Sequence, residues 1–141
     1  MNSEAVIIEA ILAAPVDKVW KAITDERQMR QWYFNVSAFK PKAGFEFTFE
    51  GPVNGKAFTH RCRVTAAEAY KKLAYIWKYE GHSGESLVTF ELYPGGNTTR
   101  IKLTHSGTES FPEEISNSGR EYFVQLWDQL MNKSLPEFLI K

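Results

Sequence analysis

The side chains best able to do chemistry in this sequence are two histidines, His60 and His105, and the tyrosine Tyr75. Each falls on the apolar side of an alternating stretch, so we expect all three on one face of a sheet, near Cys62 and Tyr122. Two imidazoles and a thiol could bind zinc, and a histidine–tyrosine pair could transfer a proton. Against this, no ligands recur at a short metal-type spacing, and no carboxylate takes an inward strand position. Three interpretations stay open: a mutually satisfied buried cluster, a group that orients a ligand, and a catalytic or metal site.

Alternating apolar and polar residues predict the strands that would carry these groups. Phe45–Glu50 alternates without fault, and Pro94-Gly95-Gly96-Asn97 is a strong hairpin signal. The predicted strands cover residues 5–12, 45–50, 56–67, 73–80, 88–92 and 100–105. The strand at 56–67 is long enough that we expect a β-bulge in it.

The spacing of apolar residues predicts helices in two parts of the chain. Pro15 can begin a first helix, and Thr24 or Asp25 can cap a second short helix that ends near Phe34. From Pro112 the period becomes helical, and Pro136 should kink or end that last helix. Its predicted apolar stripe consists of Ile115, Tyr122, Phe123, Leu126, Leu130 and Phe138.

This order of elements predicts the fold class. No helix separates the central strands, which excludes a doubly wound parallel sheet. We predict an α+β fold in which a curved antiparallel β-sheet wraps around a long C-terminal helix, with two short helices after the first strand. Residues 1–141 are predicted to form a single domain.

Charge and cysteine content exclude several classes of protein. Lys plus Arg is 17 and Asp plus Glu is 17, so the net charge of zero gives no electrostatic basis for binding nucleic acid or an anionic membrane. Cys62 is the single cysteine, so no intrachain disulfide can form. No leader-like segment is present and no apolar run approaches about 18 residues. We therefore expect a cytoplasmic protein that does not insert into membranes.

Aromatic residues make up 14% of the chain, which indicates either a densely filled core or a cavity walled by rings. We expect a hydrophobic ligand in such a cavity, because no Arg or Lys is predicted to face inward. The candidate ligand-binding residues are Trp32, Phe45, Phe47, Phe58, His60, Tyr75, Trp77, Phe90, His105, Tyr122, Phe123 and Leu126. No catalytic residue, metal or cofactor is predicted.

Several segments together resemble a known family. They are A-A-P-V-D-K-V-W-K-A-I-T-D at 13–25, P-K-A-G-F-E-F-T-F-E at 41–50, K-L-A-Y-I-W-K-Y at 72–79, V-T-F-E-L-Y-P at 88–94 and T-R-I-K-L-T-H-S-G at 99–107. In this order the chain resembles the START-like, helix-grip superfamily (SRPBCC). Within it, the chain is most similar to the bacterial family named after the activator of the heat-shock-protein-90 ATPase (Aha-type). It resembles only the C-terminal type of domain of the eukaryotic co-chaperones.

The resemblance implies three functional hypotheses. Members of the superfamily bind lipids, polyketides, flavonoids and hormones between sheet and terminal helix, so the first is a small-molecule binding domain holding a lipid- or polyketide-like ligand. Its gate would be the Asp25–Phe34 helix and the loops Gly51–Gly55 and Gly81–Gly84. The second is a co-chaperone-like or other protein-interaction domain. It would use the outward basic residues Arg61, Arg63, Lys71, Lys72 and Lys78. The third is an enzyme that uses His60, Tyr75 and His105 as acid or base.

Overall fold

A curved antiparallel sheet of six strands forms one layer of the protein. The computed structural model describes residues 5–53, 55–112 and 120–140. The strands are β1 (Val6–Leu12), β2 (Glu46–Val53), β3 (Lys56–Glu68), β4 (Lys72–Tyr79), β5 (Ser86–Gly95) and β6 (Thr98–Ser106). Their spatial order is β1-β6-β5-β4-β3-β2, so β2 to β6 form a meander and β1 pairs with the last strand. The fold class predicted from the sequence is confirmed.

The long strand β3 contains the expected β-bulge. Its register against β4 shifts by one residue between Val64 and Ala66. Before the shift Val64 lies opposite Tyr75, and after it Ala67 lies opposite Leu73. The extra residue keeps apolar side chains on the concave face along a strand that bends.

Two short helices follow β1. Helix α1 (Val16–Thr24) begins directly after Pro15, and α2 (Glu26–Trp32) is capped by the Asp25 carboxylate, which accepts a hydrogen bond from the Gln28 backbone N–H at 3.2 Å. The Trp32 indole N–H donates to the Ala22 carbonyl at 2.8 Å. This bond fixes α2 against α1, so that the end of α2 is directed at the concave face.

The chain ends in three consecutive helical segments, which we name the C-terminal helix: α3 (Arg120–Gln129), a π-helical turn (Leu130–Ser134) and α4 (Leu135–Leu139). Pro136 lies in the first turn of α4, so the helix continues beyond it. Of the predicted apolar stripe, Phe123 and Leu130 are buried and Tyr122, Leu126 and Phe138 are half-buried, while Ile115 lies outside the described residues.

Apart from Phe123, the predicted stripe omitted the row of the C-terminal helix that is most deeply buried. That row is Phe123, Trp127, Met131, Leu135 and Leu139, spaced four residues apart. In a regular α-helix such a row drifts around the axis by about 40° per step. The π-helical turn is wider and absorbs part of this drift, so the row stays on the sheet. No helix within the described ranges is long and apolar enough to cross a membrane.

A candidate ligand site between the sheet and the C-terminal helix

The predicted cavity-wall residues lie in or beside the core between the sheet and the helices. Fully buried members of the set are Trp32, Phe47, His60, Tyr75, Trp77, Phe90, His105 and Phe123. Half-buried members, packed against the core, are Phe45, Phe58, Tyr122 and Leu126. Alternation along the strands explains the buried positions, since every second residue of a strand points to one face.

The rings of this interior contact one another. Trp77 lies at the centre, with its ring centroid 5.1 Å from those of both His60 and His105. The Phe49 ring stacks on His60 at 4.4 Å and an interplanar angle of 16°. Phe90 meets the indole of Trp127 edge-on at 5.9 Å. The two histidines are thus separated by Trp77 and lie in different parts of the aromatic layer.

His105 has a complete set of hydrogen-bond partners. The Trp127 indole N–H donates to its Nδ1 at 2.9 Å, so the ring proton is on Nε2, which lies 2.7 Å from Ser86 Oγ. The Ser86 hydroxyl in turn donates to the Trp77 carbonyl at 3.3 Å. Burial lowers the pKa of His105 to about 3. The geometry therefore holds this imidazole neutral and in one tautomer.

His60 lies near the connection between β2 and β3 and is held neutral by burial. Its Nδ1 lies 3.1 Å from the Phe58 carbonyl, which makes Nδ1 the donor. Burial lowers its pKa to about 4, against smaller opposite effects of backbone hydrogen bonds to Phe58 and Phe49 and of the Glu50 charge. Gly51 permits this packing, because a Cβ there would lie 3.0 Å from the His60 ring carbon Cε1.

Tyr75 pairs with Tyr33, the residue after α2. The two phenol oxygens are 2.6 Å apart, and burial, as the largest cause, raises the pKa of both groups well above the usual range. Within the described residues no hydrogen bond joins any two of His60, Tyr75 and His105. The three groups share a face, and each has its own partner.

Cys62 is buried on the same face between β2 and β4. Burial raises the pKa of its thiol far above the usual range, so the thiolate that metal ions and electrophiles need is disfavoured. Among residues 5–53, 55–112 and 120–140, no three His, Cys, Asp or Glu side chains are close enough together to hold a metal ion.

Two polar atoms of the interior make no hydrogen bond in the described structure. They are the indole nitrogen Nε1 of Trp77 and the phenol oxygen of Tyr79. Both residues lie on β4 and both are buried. Burial raises the pKa of the Tyr79 phenol and the Trp77 indole opposes that rise, so the two groups lie close enough to interact with each other.

Sequence reasoning omitted several residues of this site. Phe49 and Tyr79 follow the same alternation as Phe47 and Tyr75, so a fuller use of that pattern would include them. Trp127 follows Phe123 by one helical turn. Spacing along the short second helix predicts Tyr33 on its inner side, but no local pattern identifies the partners of Tyr33, Phe34 and Ser86, which are distant in the sequence.

The outer face of the sheet carries a groove of about 390 Å³. Arg61, Arg63 and Lys78 line it, together with Glu46 and Glu85. Arg61 is paired with Glu80 at 3.0 Å. Three of the five residues predicted as an outward basic stretch therefore belong to a surface of mixed charge, namely Arg61, Arg63 and Lys78.

Residues 13–139 match the family model of the activator of Hsp90 ATPase homolog 1-like protein. The chain belongs to this family. The Aha-type chain shares its fold with many solved structures, and no curated protein matches its sequence.

Three of those structures illustrate the similarity. Protein MLL2253 of Mesorhizobium loti is 26% identical, with a TM-score of 0.79 and 97% of each chain covered. Protein BH1534 of Bacillus halodurans is 24% identical, with a TM-score of 0.77 and 99% of each chain covered. DynU16, a protein in the dynemicin biosynthetic locus, is 22% identical with a TM-score of 0.78. The Aha-type chain is covered to 99% in that comparison but spans only 48% of DynU16.

Proposed function

We propose that this Aha-type domain binds a hydrophobic small molecule between its sheet and its C-terminal helix. The observation that supports this most directly is that two side chains from outside both layers, Tyr33 and Phe34, fill the middle of the aromatic interior. We name these two residues the aromatic plug. Both are only half-buried and both belong to the short segment that follows α2.

The contacts of the aromatic plug describe the space that a ligand would take. The Tyr33 ring stacks on Trp127 at 6.0 Å and 26°, and its hydroxyl is bonded to Tyr75. The Phe34 ring stacks on Phe49 at 4.4 Å and 13°. Withdrawal of the plug would expose ring faces of Phe49 and Trp127 and the hydroxyl of Tyr75. A planar apolar molecule could replace both plug rings there.

The interior favours an uncharged ligand. The buried polar residues of the described chain are threonines, a serine and the two neutral histidines, and no buried Lys, Arg, Asp or Glu is among them. A charge placed in this interior would lose its hydration without gaining an opposite charge. One or two neutral hydrogen-bonding groups, in contrast, would find partners such as the Tyr75 hydroxyl.

Native mass spectrometry of freshly purified protein, followed by organic extraction, tests this proposal. A small-molecule adduct that leaves on denaturation would identify the ligand class. In parallel, binding of the neutral fluorophore N-phenyl-1-naphthylamine would be titrated against the wild type and Phe34→Ala. We expect tighter binding by Phe34→Ala, because that variant no longer has to displace one plug ring.

Phe138→Ala is the matched control, since it removes another half-buried phenylalanine, from α4, which makes no ring contact with the plug within the described residues. Its affinity for the fluorophore should equal that of the wild type. An adduct-free protein together with no saturable binding by either the wild type or Phe34→Ala would contradict the proposal.

A second candidate function is protein interaction in the cytoplasm, and it is supported by the family name and by the outer groove. The groove is lined by Arg61, Arg63 and Lys78, and β2 beside it is an edge strand of the sheet. Reversing two of these charges with Arg61→Glu and Arg63→Glu should abolish binding to purified bacterial Hsp90 measured by calorimetry. Fluorophore binding in the interior should stay unchanged. Absence of any wild-type heat signal would dismiss this candidate.

A further inference from the structure

The two edges of the sheet differ in how they are covered. At the β2 edge, the Ser37 backbone N–H donates to the Thr48 carbonyl at 2.8 Å, and the Ser37 hydroxyl oxygen accepts from the Thr48 N–H at 3.0 Å. β2 also contains Pro52, which has no N–H to offer to a further strand. At the other edge, β1 pairs with β6 on one side, and no hydrogen bond among the described residues reaches the backbone of its other side.

β1 also lacks the features that usually protect an edge strand from pairing. Val6–Leu12 pairs with β6 without a register shift and contains neither proline nor lysine. On the outer face, the side chains of Ile7 and Ile11 are 50% and 67% exposed. On the concave face, Ile8 and Ala10 are only half-buried. Apolar surface is therefore exposed on both faces of an edge strand that can still form hydrogen bonds.

The sequence of β1 is apolar in both directions from its centre. Glu9 is the middle residue, with three apolar residues before it and three after it. A second β1 strand, antiparallel and centred on the same residue, would place Ile7 against Ile11 on the outer face and Ile8 against Ala10 on the concave face. Sliding this register by two residues would place the Glu9 carboxylate against an isoleucine. An identical strand therefore fits β1 best in the centred register.

The charges around Glu9 allow two copies of it to meet. Its carboxylate accepts a hydrogen bond from Arg100 at 2.7 Å, and Lys102 is its partner in the β1–β6 register. In the centred register, two Glu9 carboxylates would be neighbours and would be flanked by an arginine and a lysine from each copy. These cations offset the repulsion that directly opposed carboxylates would otherwise have.

We propose that two copies of this chain associate through β1, antiparallel about a two-fold axis at Glu9, so that their sheets join edge to edge. One strand from each copy buries less surface than the roughly 1,600 Å² of a standard interface, so we expect a reversible dimer with micromolar affinity. The dimer does not depend on ligand binding in the interior, because Ile7, Glu9 and Ile11 are exposed on the outer face.

Sedimentation velocity over an about hundredfold range of protein concentration tests the proposal. The wild type should shift from monomer to dimer as the concentration rises. Ile11→Lys should weaken the dimer about tenfold or more, because the two-fold axis places the lysine in the interface twice. Leu87→Lys is the matched control, since Leu87 is also exposed on the outer face, at 38%, but belongs to a central strand. It should dimerise like the wild type.

Cross-linking tests the register. Under mild oxidation, Glu9→Cys should form a disulfide-linked dimer on a non-reducing gel, because the two central residues are direct neighbours across the axis. Leu87→Cys should remain monomeric under the same conditions. Cys62 is buried and does not compete for the disulfide.

Three results would overturn the proposal. The first is a wild type that stays monomeric over the whole concentration range. The second is a dimer that Ile11→Lys leaves intact, which would place the interface elsewhere on the molecule. The third is a Glu9→Cys protein that cross-links no faster than Leu87→Cys, which would show that β1 does not meet β1 at its centre.

Discussion

Mild acid should destabilise this protein through its two buried histidines. His60 is 1% exposed and His105 is 0% exposed, and burial holds their pKa values at about 4 and about 3. An unfolded histidine has a pKa of about 6.5. Between these values the unfolded chain binds protons that the folded chain does not, so stability falls as the pH falls below about 6.5.

The size of the effect follows from the same values. Moving from pH 7 to pH 5 protonates each unfolded histidine almost completely and leaves each folded one neutral. Each group then contributes about 2 kcal/mol, so the free energy of unfolding should fall by about 4 kcal/mol. Ordinary carboxylates titrate near pH 4, which is why the comparison stops at pH 5.

Urea unfolding followed by tryptophan fluorescence, at several pH values from 7 to 5, measures this dependence. His105→Gln should lower stability at every pH but should also halve the pH-dependent loss, since one buried imidazole remains. His82→Gln, in the loop after β4, is the control and should retain the full loss. A pH dependence that is as steep in His105→Gln as in the wild type would refute the argument that His105 is forced to stay neutral.

Three further outcomes are expected. Tyr75→Phe should lower the free energy of unfolding by about 1–2 kcal/mol, because the Tyr33 hydroxyl is left unpaired. Tyr79→Phe should leave the free energy of unfolding equal or higher, because the Tyr79 hydroxyl makes no geometrically defined hydrogen bond. Equal losses of stability in urea melts of the two variants would contradict the assigned pairing. Cys62 should react with a disulfide reagent at pH 8 only as fast as the protein opens, and rapid labelling of the folded chain would show that the thiol is not buried. Gly51→Ala should cost about 1–3 kcal/mol in a urea melt, because its Cβ would press on the His60 ring at 3.0 Å; an unchanged midpoint would show that the ring can move aside at no cost.

The fold could be predicted from the sequence because the patterns that indicate its strands, helix cap and β-bulge are local in the chain. Alternation along β2 and β6 identifies inward residues such as Phe47 and Ile101, since side chains of a strand alternate between faces. The capping residue Asp25 lies next to the helix that it stabilises. Even the β-bulge in β3 could be expected, because a long strand on a curved sheet must bend.

The sequence also determined which residue types face the interior, and therefore its aromatic and uncharged character. Alternation places His60, Tyr75 and His105 on one face without any knowledge of the helix opposite. Helical spacing identified Phe123 but not the buried row from Met131 onwards, because the π-helical turn at Leu130–Ser134 changes the period on which such a pattern depends.

Only the tertiary structure decided which buried polar side chains are hydrogen-bonded to each other, and therefore which of them could act on a ligand. Trp127 and His105 are 22 residues apart, and Tyr33 and Tyr75 are 42 apart. Hydrogen bonds act over about 3 Å, so small shifts in how the helices lie on the sheet determine which groups pair. Those pairings satisfy His105 and Tyr75, and no local pattern in the sequence specifies them.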